Sequence, residues 1–219
     1  TIGAGATKAS GNTDALSANV TAQTGMATES RSVSFHGNAL YGRSEGLVTA
    51  SRFTAGTNWT WEIGRGHFAF GNGDWLRDRF ANLSRRTTVS TGLGHHLVKS
   101  PIHDWDIFAG VAYSHDEYIT ATEVDGLVRN DYGRPEALLG TESHHRPTET
   151  TTLHQRLVVL PTLNGSGSYR LIFEGGLSVS VTSRLAMTAT LTVNRNSDPG
   201  VGVKKNDTLF VTGLTFKLD

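Results

Sequence analysis

The sequence predicts an all-β protein, an up-and-down antiparallel transmembrane β-barrel of about twelve strands that forms one domain over residues 1–219. Three observations predict this fold class. Apolar and polar residues alternate with a period of two along most of the chain. The alternating runs reach about 12 to 16 residues, against roughly 5 to 6 in soluble strands. Large aromatic residues gather near the ends of the runs.

The strands follow one another with short turns between them. In the second strand, the even positions from Leu16 to Ala22 are apolar and the odd positions are polar, so the strand has two different faces. Clusters such as Gly11-Asn12-Thr13-Asp14 mark the turns. One connection, at about 117–130, is predicted to be a long, irregular external loop. The predicted strands are 1–10, 14–26, 31–43, 47–63, 66–81, 85–98, 103–116, 132–145, 149–162, 167–182, 184–197 and 204–218.

Strand length decides which environment the apolar faces meet. A tilted strand needs roughly 9 to 11 residues to cross the hydrocarbon of a membrane, and these runs are long enough to cross and protrude. An even number of strands returns both termini to one side, which is the periplasm in bacterial outer-membrane barrels. We therefore expect the bacterial outer membrane, with lipid and lipopolysaccharide around the barrel. The alternative is a soluble antiparallel barrel or sandwich.

Aromatic residues on the apolar faces form two groups when the strands are laid antiparallel, with an aliphatic zone between them. Aromatic belts of this kind lie at the two interfaces of a membrane, whereas a soluble core holds its rings centrally. The predicted girdle consists of Phe35, Tyr41, Phe53, Trp59, Trp61, Phe68, Phe70, Trp105, Tyr113, Tyr169, Phe210 and Phe216.

The polar faces carry charged residues, which are ordinary in the interior of membrane barrels. An external half containing Arg52, Arg134 and Arg170 would favour small anionic solutes, and Arg77 and Arg79 would join it if the fifth strand keeps its alternation. Alternatively, pairs such as Arg156 with Glu174 fill the interior. The lumen-lining candidates are Arg52, Glu62, Asp106, Arg134, Arg156, Arg170, Glu174 and Arg184.

Composition excludes several other classes of protein. Lys and Arg number 20, as do Asp and Glu, so no basic surface for nucleic acid is indicated. The chain has no cysteine, which excludes disulfides and thiolate zinc sites. His95-His96 and His144-His145 are adjacent pairs, and adjacent strand residues point to opposite faces. We therefore expect no metal site and no cofactor.

A catalytic cluster is suggested by Ser114-His115-Asp116-Glu117. Neighbours on a strand diverge, however, and a catalytic triad needs spatial proximity. The prediction is that the protein is not an enzyme and has no catalytic residues. The alternative is a lipid-modifying enzyme at the membrane rim that uses Ser114 and His115.

Several short motifs together resemble the salt-induced, or salt-stress, outer-membrane proteins of unknown function, over nearly the whole chain. The resemblance implies an outer-membrane barrel and supplies no ligand, reaction or catalytic residue. The motifs are Gly11-Asn12-Thr13-Asp14, Asp78-Arg79-Phe80, Arg86 with Gly92-Leu93-Gly94, Tyr169-Arg170-Leu171, and Pro199 with Lys205-Asn206-Asp207-Thr208.

The function expected from these observations is a monomeric outer-membrane barrel that acts as a narrow passive channel or envelope barrel. Twelve strands lie between barrels filled at about eight strands and open porins at 16 to 18. Polar side chains, including arginines, would set the size limit and the charge preference. The alternatives are a structural or partner-binding barrel without conductance, and the rim enzyme.

Overall fold

The computed structural model describes residues 1–9, 15–164 and 166–217, and in this range the chain forms a closed antiparallel barrel of twelve strands. Each strand pairs with the next, and β1 pairs with β12 through Ile2 and Phe216, which closes the barrel. The predicted fold class is confirmed. The strands are β1 (Ile2–Ala9), β2 (Ala15–Ala27), β3 (Arg31–Ser44), β4 (Leu47–Gly64), β5 (His67–Asp78), β6 (Leu83–Lys99), β7 (His103–Val124), β8 (Leu127–His145), β9 (Thr151–Pro161), β10 (Tyr169–Ser180), β11 (Leu185–Asn196) and β12 (Asn206–Phe216).

Three hairpin turns have the backbone that a tight two-residue connection requires. Glu45-Gly46, Arg65-Gly66 and Asp125-Gly126 all have positive φ at both positions. This is the type I′ geometry, whose twist matches that of the flanking strands. The turn predicted at 11–14 lies outside the described residues. In the described part of the chain, no helix is long and apolar enough to cross a membrane.

The 117–130 stretch is not the irregular loop that the sequence predicted. β7 and β8 continue through it as a hairpin that ends at Asp125-Gly126. The register shifts between Glu117 and Thr122, so a short segment bulges out of the ladder. Asn82 holds this bulge, because its side-chain Oδ1 accepts hydrogen bonds from the N–H and the hydroxyl of Thr120.

At one end of the barrel, connections between other strands contact the β7–β8 hairpin. The end that carries Thr1 and Phe216 is called the termini end here, and the opposite end the distal end. At the distal end, the Asp125 N–H donates to Asp198 of the β11–β12 connection, and Asn164 of the β9–β10 connection donates to the Tyr132 hydroxyl. Two connections thus contact the β7–β8 hairpin from strands farther along the barrel wall.

Tyr118 lies in the same hairpin, beyond the last outward-facing aromatic residue of β7, Tyr113. Its phenol is partly buried among charged neighbours. Burial and the nearby Asp116 carboxylate raise the pKa of Tyr118 to about 12.

The outer face of the barrel is apolar. Alternate residues along the strands are aliphatic or aromatic and exposed, including Val20, Leu93, Val111, Leu139 and Met187. In a soluble protein such side chains would be covered. The inner face therefore contains the polar residues and the buried ones.

Candidate functional site

The interior of the barrel is divided into two walls. Among the non-glycine residues whose burial the structure describes, every buried one except Asn19 lies on β5–β10. We call the inward face of β5–β10 the packed wall. The inward face of β11, β12 and β1–β4 is called the polar wall, because short hydroxyl and amide side chains recur along it.

Aromatic rings over glycines form the middle of the packed wall. A Cβ at Gly94 would overlap the Phe68 ring, and a Cβ at Gly92 would lie 2.7 Å from Cζ of Phe70. Phe68 and Phe70 are both only 6% exposed. They face inward, so their assignment to the outward girdle was wrong. The lack of a side chain on β6 leaves the space that these rings fill.

The same cluster extends across the following strands. Phe108 lies over Gly140 and packs edge-to-face against Phe70, with ring centroids 5.6 Å apart. Leu138 and Val158 complete the buried layer. Strands β8 and β9 therefore have apolar residues on both faces, and the alternation that predicted a polar interior does not hold there.

A network of buried ion pairs lies on the distal side of this cluster. Arg170 donates to both oxygens of Glu136, at 2.9 and 2.5 Å. Arg86 donates to both oxygens of Asp116, at 2.6 Å each. Arg134 joins the two pairs, because it donates to Asp116 at 3.0 Å and to Glu136 at 3.3 Å. The predicted lumen arginines Arg134 and Arg170 are thus held by carboxylates and are almost completely buried.

The proposed rim cluster does not assemble as a catalytic site. Ser114 is fully buried, where it donates to Glu136 at 2.7 Å and accepts from Arg170 at 2.7 Å. His115 lies on the opposite, outward face of β7, within 3.9 Å of Glu117. A hydroxyl and an imidazole on opposite faces of one strand cannot act on the same atom.

Arg52 forms an ion-pair bridge at the distal end of the polar wall. Its Nε donates to Asp78 at 2.7 Å, and its Nη2 contacts Asp207 on β12. Strands β1, β2 and β3 separate β12 from β4 around the wall, so this contact runs across the interior. Arg77 is exposed beside Phe53 on the outer face, and Arg79 is exposed in the turn after β5.

A second charged layer lies at the termini end. His96 Nδ1 is 2.6 Å from Asp106, and its Nε2 is 3.0 Å from Glu62, which also accepts a hydrogen bond from Lys99 at 2.7 Å. Arg156 lies 3.5 Å from Glu142 on the neighbouring strand β8.

Cross-strand register brings Glu142 together with two histidines. His144 and His154 are direct partners on β8 and β9, and each Nε2 lies near Glu142 Oε1. The adjacent pair His144-His145 does diverge, as expected. Sequence reasoning missed the cross-strand pair because it compared neighbours within a strand, and the register between β8 and β9 is the signal that finds it.

The remaining predicted residues are placed as follows. Glu174 lies between Arg156 and Thr192 in the register of β10. Arg184 was predicted to line the lumen from the strand 184–197, but it is exposed in the turn before β11, which begins at Leu185. Tyr169 is half-buried and accepts a hydrogen bond from Arg195 at 2.9 Å. The other predicted girdle residues are exposed on the outer face, namely Phe35, Tyr41, Phe53, Trp59, Trp61, Trp105, Tyr113, Phe210 and Phe216.

Trp75 is an aromatic residue of the outer face that the sequence analysis missed. It packs edge-to-face on Phe53, with ring centroids 5.5 Å apart. The outward assignment of Phe68 and Phe70 and the omission of Trp75 have the same cause. The prediction placed the even residues of β5 on the outer face, whereas its odd residues face outward and its even residues face inward.

The polar wall contains inward side chains that remain exposed. Thr190, in the middle of β11, alternates with the outward Met187 and Leu191, yet it is exposed. Thr21 on β2 behaves in the same way. Exposure on an inward face means that water has room beside this wall.

Solved structures of barrels share this fold. The NanC porin is 10% identical, with 99% of this chain and 98% of that chain covered and a TM-score of 0.59. The translocator domain of the autotransporter NalP from Neisseria meningitidis is 14% identical, with 99% and 86% covered and a TM-score of 0.52. The KdgM porin in complex with disordered oligogalacturonate is 7% identical, with 100% and 98% covered and a TM-score of 0.50.

Sequence comparison gives a family and one curated relative. The family model described as "Protein of unknown function, DUF481" matches residues 2–218. The uncharacterized protein YdiY of Escherichia coli (strain K12) is 23% identical over 203 residues, which are 90% of this chain and 74% of that protein.

Proposed function

The chain belongs to the DUF481 family of unknown function, and we propose that it is an outer-membrane barrel that acts as a narrow passive channel for small hydrophilic solutes. The observation that carries the proposal is the exposure of inward Thr190. Its cross-strand partners are Val211 and Gly176, and nothing lies within 4 Å of a Cβ placed on Gly176, so there is open space beside Thr190. The porin folds of the similar structures support it. A role in salt stress, implied by the sequence resemblance, stays a prediction.

The solute path follows the polar wall. The packed wall holds buried rings and ion pairs that exclude solute, so half of the circumference is occupied. Thr188, Thr190 and Thr192 lie inward on β11 and offer hydroxyl groups to a passing solute. Outer-membrane lipid and lipopolysaccharide are the proposed surroundings of the apolar outer face.

Small anionic solutes are the finer part of the proposal. The solved KdgM complex contains oligogalacturonate, which supports an anionic class. In this chain the arginine positioned for selection is Arg52, because its side chain is 18% exposed, whereas those of Arg134 and Arg170 are 5% and 8% exposed. Arg52 also contacts Asp78 and Asp207, so the balance within this bridge sets the charge preference.

The test uses the absence of natural cysteine in the sequence. We expect a Thr190→Cys variant in a planar bilayer to lose conductance when a charged, water-soluble thiol reagent is added, because the adduct narrows the path. The matched control is Ala189→Cys, whose side chain points to the outer face. Its conductance should not change.

Two results would contradict the channel. Insertion without any conductance steps would favour the alternative, a structural or partner-binding barrel, which the occupied packed wall also fits. An equal effect of the reagent on both cysteine variants would mean that the modified thiol does not lie in the path.

A further inference from the structure

Three side chains of metal-ligating type converge at the termini end of the interior. Glu142 and His144 are two residues apart on β8, and His154 is the partner of His144 on β9. Residues two apart on a strand share a face, as do direct cross-strand partners, so all three point inward. Glu142 Oε1 lies 3.1 Å from His144 Nε2 and 3.2 Å from His154 Nε2. One ligand atom from each residue lies within 4.8 Å of the other two.

We propose that Glu142, His144 and His154 form a binding site for a divalent transition-metal ion, with Zn²⁺ as the best match. Two imidazoles and one carboxylate form an open zinc site, in which water occupies the fourth position. Bonds of about 2.0 to 2.2 Å in a tetrahedron separate neighbouring donor atoms by about 3.3 Å. The two Glu–His distances are close to that separation. The His144 and His154 rings are stacked, with centroids 4.5 Å apart and 22° between their planes, so both rings must turn their Nε2 atoms toward each other to share one ion.

The surroundings hold the ligands in place and leave access. Arg156 lies 3.5 Å from the other carboxylate oxygen of Glu142, Oε2, which leaves Oε1 directed at the two rings. In the register, Asp104 lies across from His144 and Asp106 across from Glu142, so further negative charge borders the site. All three ligands are partly exposed, which allows an ion and its water to enter.

Other histidines at the same end are poorer candidates. His96 lies between two carboxylates, but the ammonium group of Lys99 is 3.3 Å from its Nε2 and repels a cation. His103 and His145 approach each other at 2.8 Å, but no carboxylate in the described part of the chain joins them in a three-ligand group. Only the Glu142 group combines three donors with space for water, among the residues that the structure describes.

The test is Zn²⁺ titration of the full chain, folded in detergent and first stripped with a chelator, against a chromophoric competitor. We expect one tight equivalent of Zn²⁺. His144→Ala and His154→Ala should each weaken the affinity for Zn²⁺ at least about tenfold. Loss of a residue that only supports a metal ligand already lowers metal affinity by about that factor. Glu142→Gln keeps the shape of the side chain and should also weaken binding. Cu²⁺ bound to the wild-type protein should give an electron paramagnetic resonance signal of two imidazole nitrogens.

The matched control is His145→Ala, because its side chain is adjacent in sequence but faces outward. It should keep the tight equivalent. The proposal is overturned if the folded wild-type protein takes up no Zn²⁺, if His144→Ala binds as tightly as wild type, or if His145→Ala loses binding equally. Binding is measured in detergent, so the outcome does not depend on whether the barrel conducts.

Discussion

The packed wall and the polar wall are built on the same kind of strand, yet their inward side chains differ in burial. In the packed wall, inward Phe68 lies over Gly94, and inward Arg170 forms an ion pair with Glu136. All four residues are buried. In the polar wall, inward Thr190 stays exposed in the middle of its strand. The difference teaches that a barrel of this size can divide its interior, with one side tightly packed and the other open to water.

The division has a simple physical cause. Twelve strands enclose more space than side chains of one layer fill, but less than an open porin encloses. Large rings fit against the inner wall here because the neighbouring strand has glycine at the paired position. Buried charges can remain only where partners satisfy them. Both conditions are met on β5–β10, and short hydroxyl groups on the other strands leave the rest to water.

The largest expected effect comes from Glu136→Ala in the packed wall. Removal of this carboxylate leaves Arg170 and Arg134 buried without their shared partner. Breaking a buried ion pair by removing one partner costs about 3 to 5 kcal/mol. The free energy of unfolding, measured by urea titration in detergent or lipid vesicles, should fall by that amount.

The control for this change is Glu174→Gln, on the same face of β10 as Arg170 but outside the buried network. It should change the free energy of unfolding by less than about 0.5 kcal/mol, as surface substitutions usually do. Equal losses in the two variants would contradict the division of the interior into two walls.

A smaller effect is expected from a methyl group added to glycine. Gly94→Ala places a Cβ against the Phe68 ring and should lower the free energy of unfolding by about 1 to 3 kcal/mol. Gly176→Ala is the matched change on β10, where nothing lies within 4 Å of the added Cβ. It should be neutral, or stabilising by up to about 1 kcal/mol because the unfolded chain loses freedom.

The same unfolding titrations can be extended to a double mutant. Phe68→Leu should relieve part of the loss in Gly94→Ala, because the two sites are in contact and their effects do not add. Strict additivity would mean that the ring does not lie over the glycine.

The smallest stability effect is expected at the Arg52–Asp207 ion pair, which crosses the interior within the polar wall. Asp207 is half exposed, so its coupling to Arg52 in a double-mutant cycle should be only about 0.2 to 1 kcal/mol. Ion selectivity should respond more clearly. Reversal potentials should shift toward anions in Asp207→Asn and toward cations in Arg52→Gln, and a shift in the same direction in both variants would exclude the bridge as the selecting element.

Most of the fold could be predicted from the sequence, because alternation is a local property of each strand. The number of strands and the closed antiparallel barrel are confirmed. The error at 117–130 had a signal in the sequence, since Asp125-Gly126 is a common type I′ hairpin turn. An irregular loop was predicted over the whole stretch, although the bulge at 118–121 is the only break in the ladder of β7 with β8.

Less of the site could be predicted. Alternation cannot choose a face when both faces of a strand carry apolar residues, as β5 does with Trp75 on one face and Phe68 and Phe70 on the other. Their true direction depends on Gly92 and Gly94 of the next strand. The roles of Arg134 and Arg170 depended likewise on partners from other strands.

The sequence by itself determined that the chain forms long two-faced strands with an apolar outer surface, because the alternation of apolar and polar residues is a property of neighbouring residues in each strand. Only the tertiary structure decided which inward residues meet. Arg52 and Asp207 are 155 residues apart, and Glu142 and His154 are 12 apart. Such contacts follow from strand register and barrel closure, which pair residues by position in space and leave no local pattern in the chain.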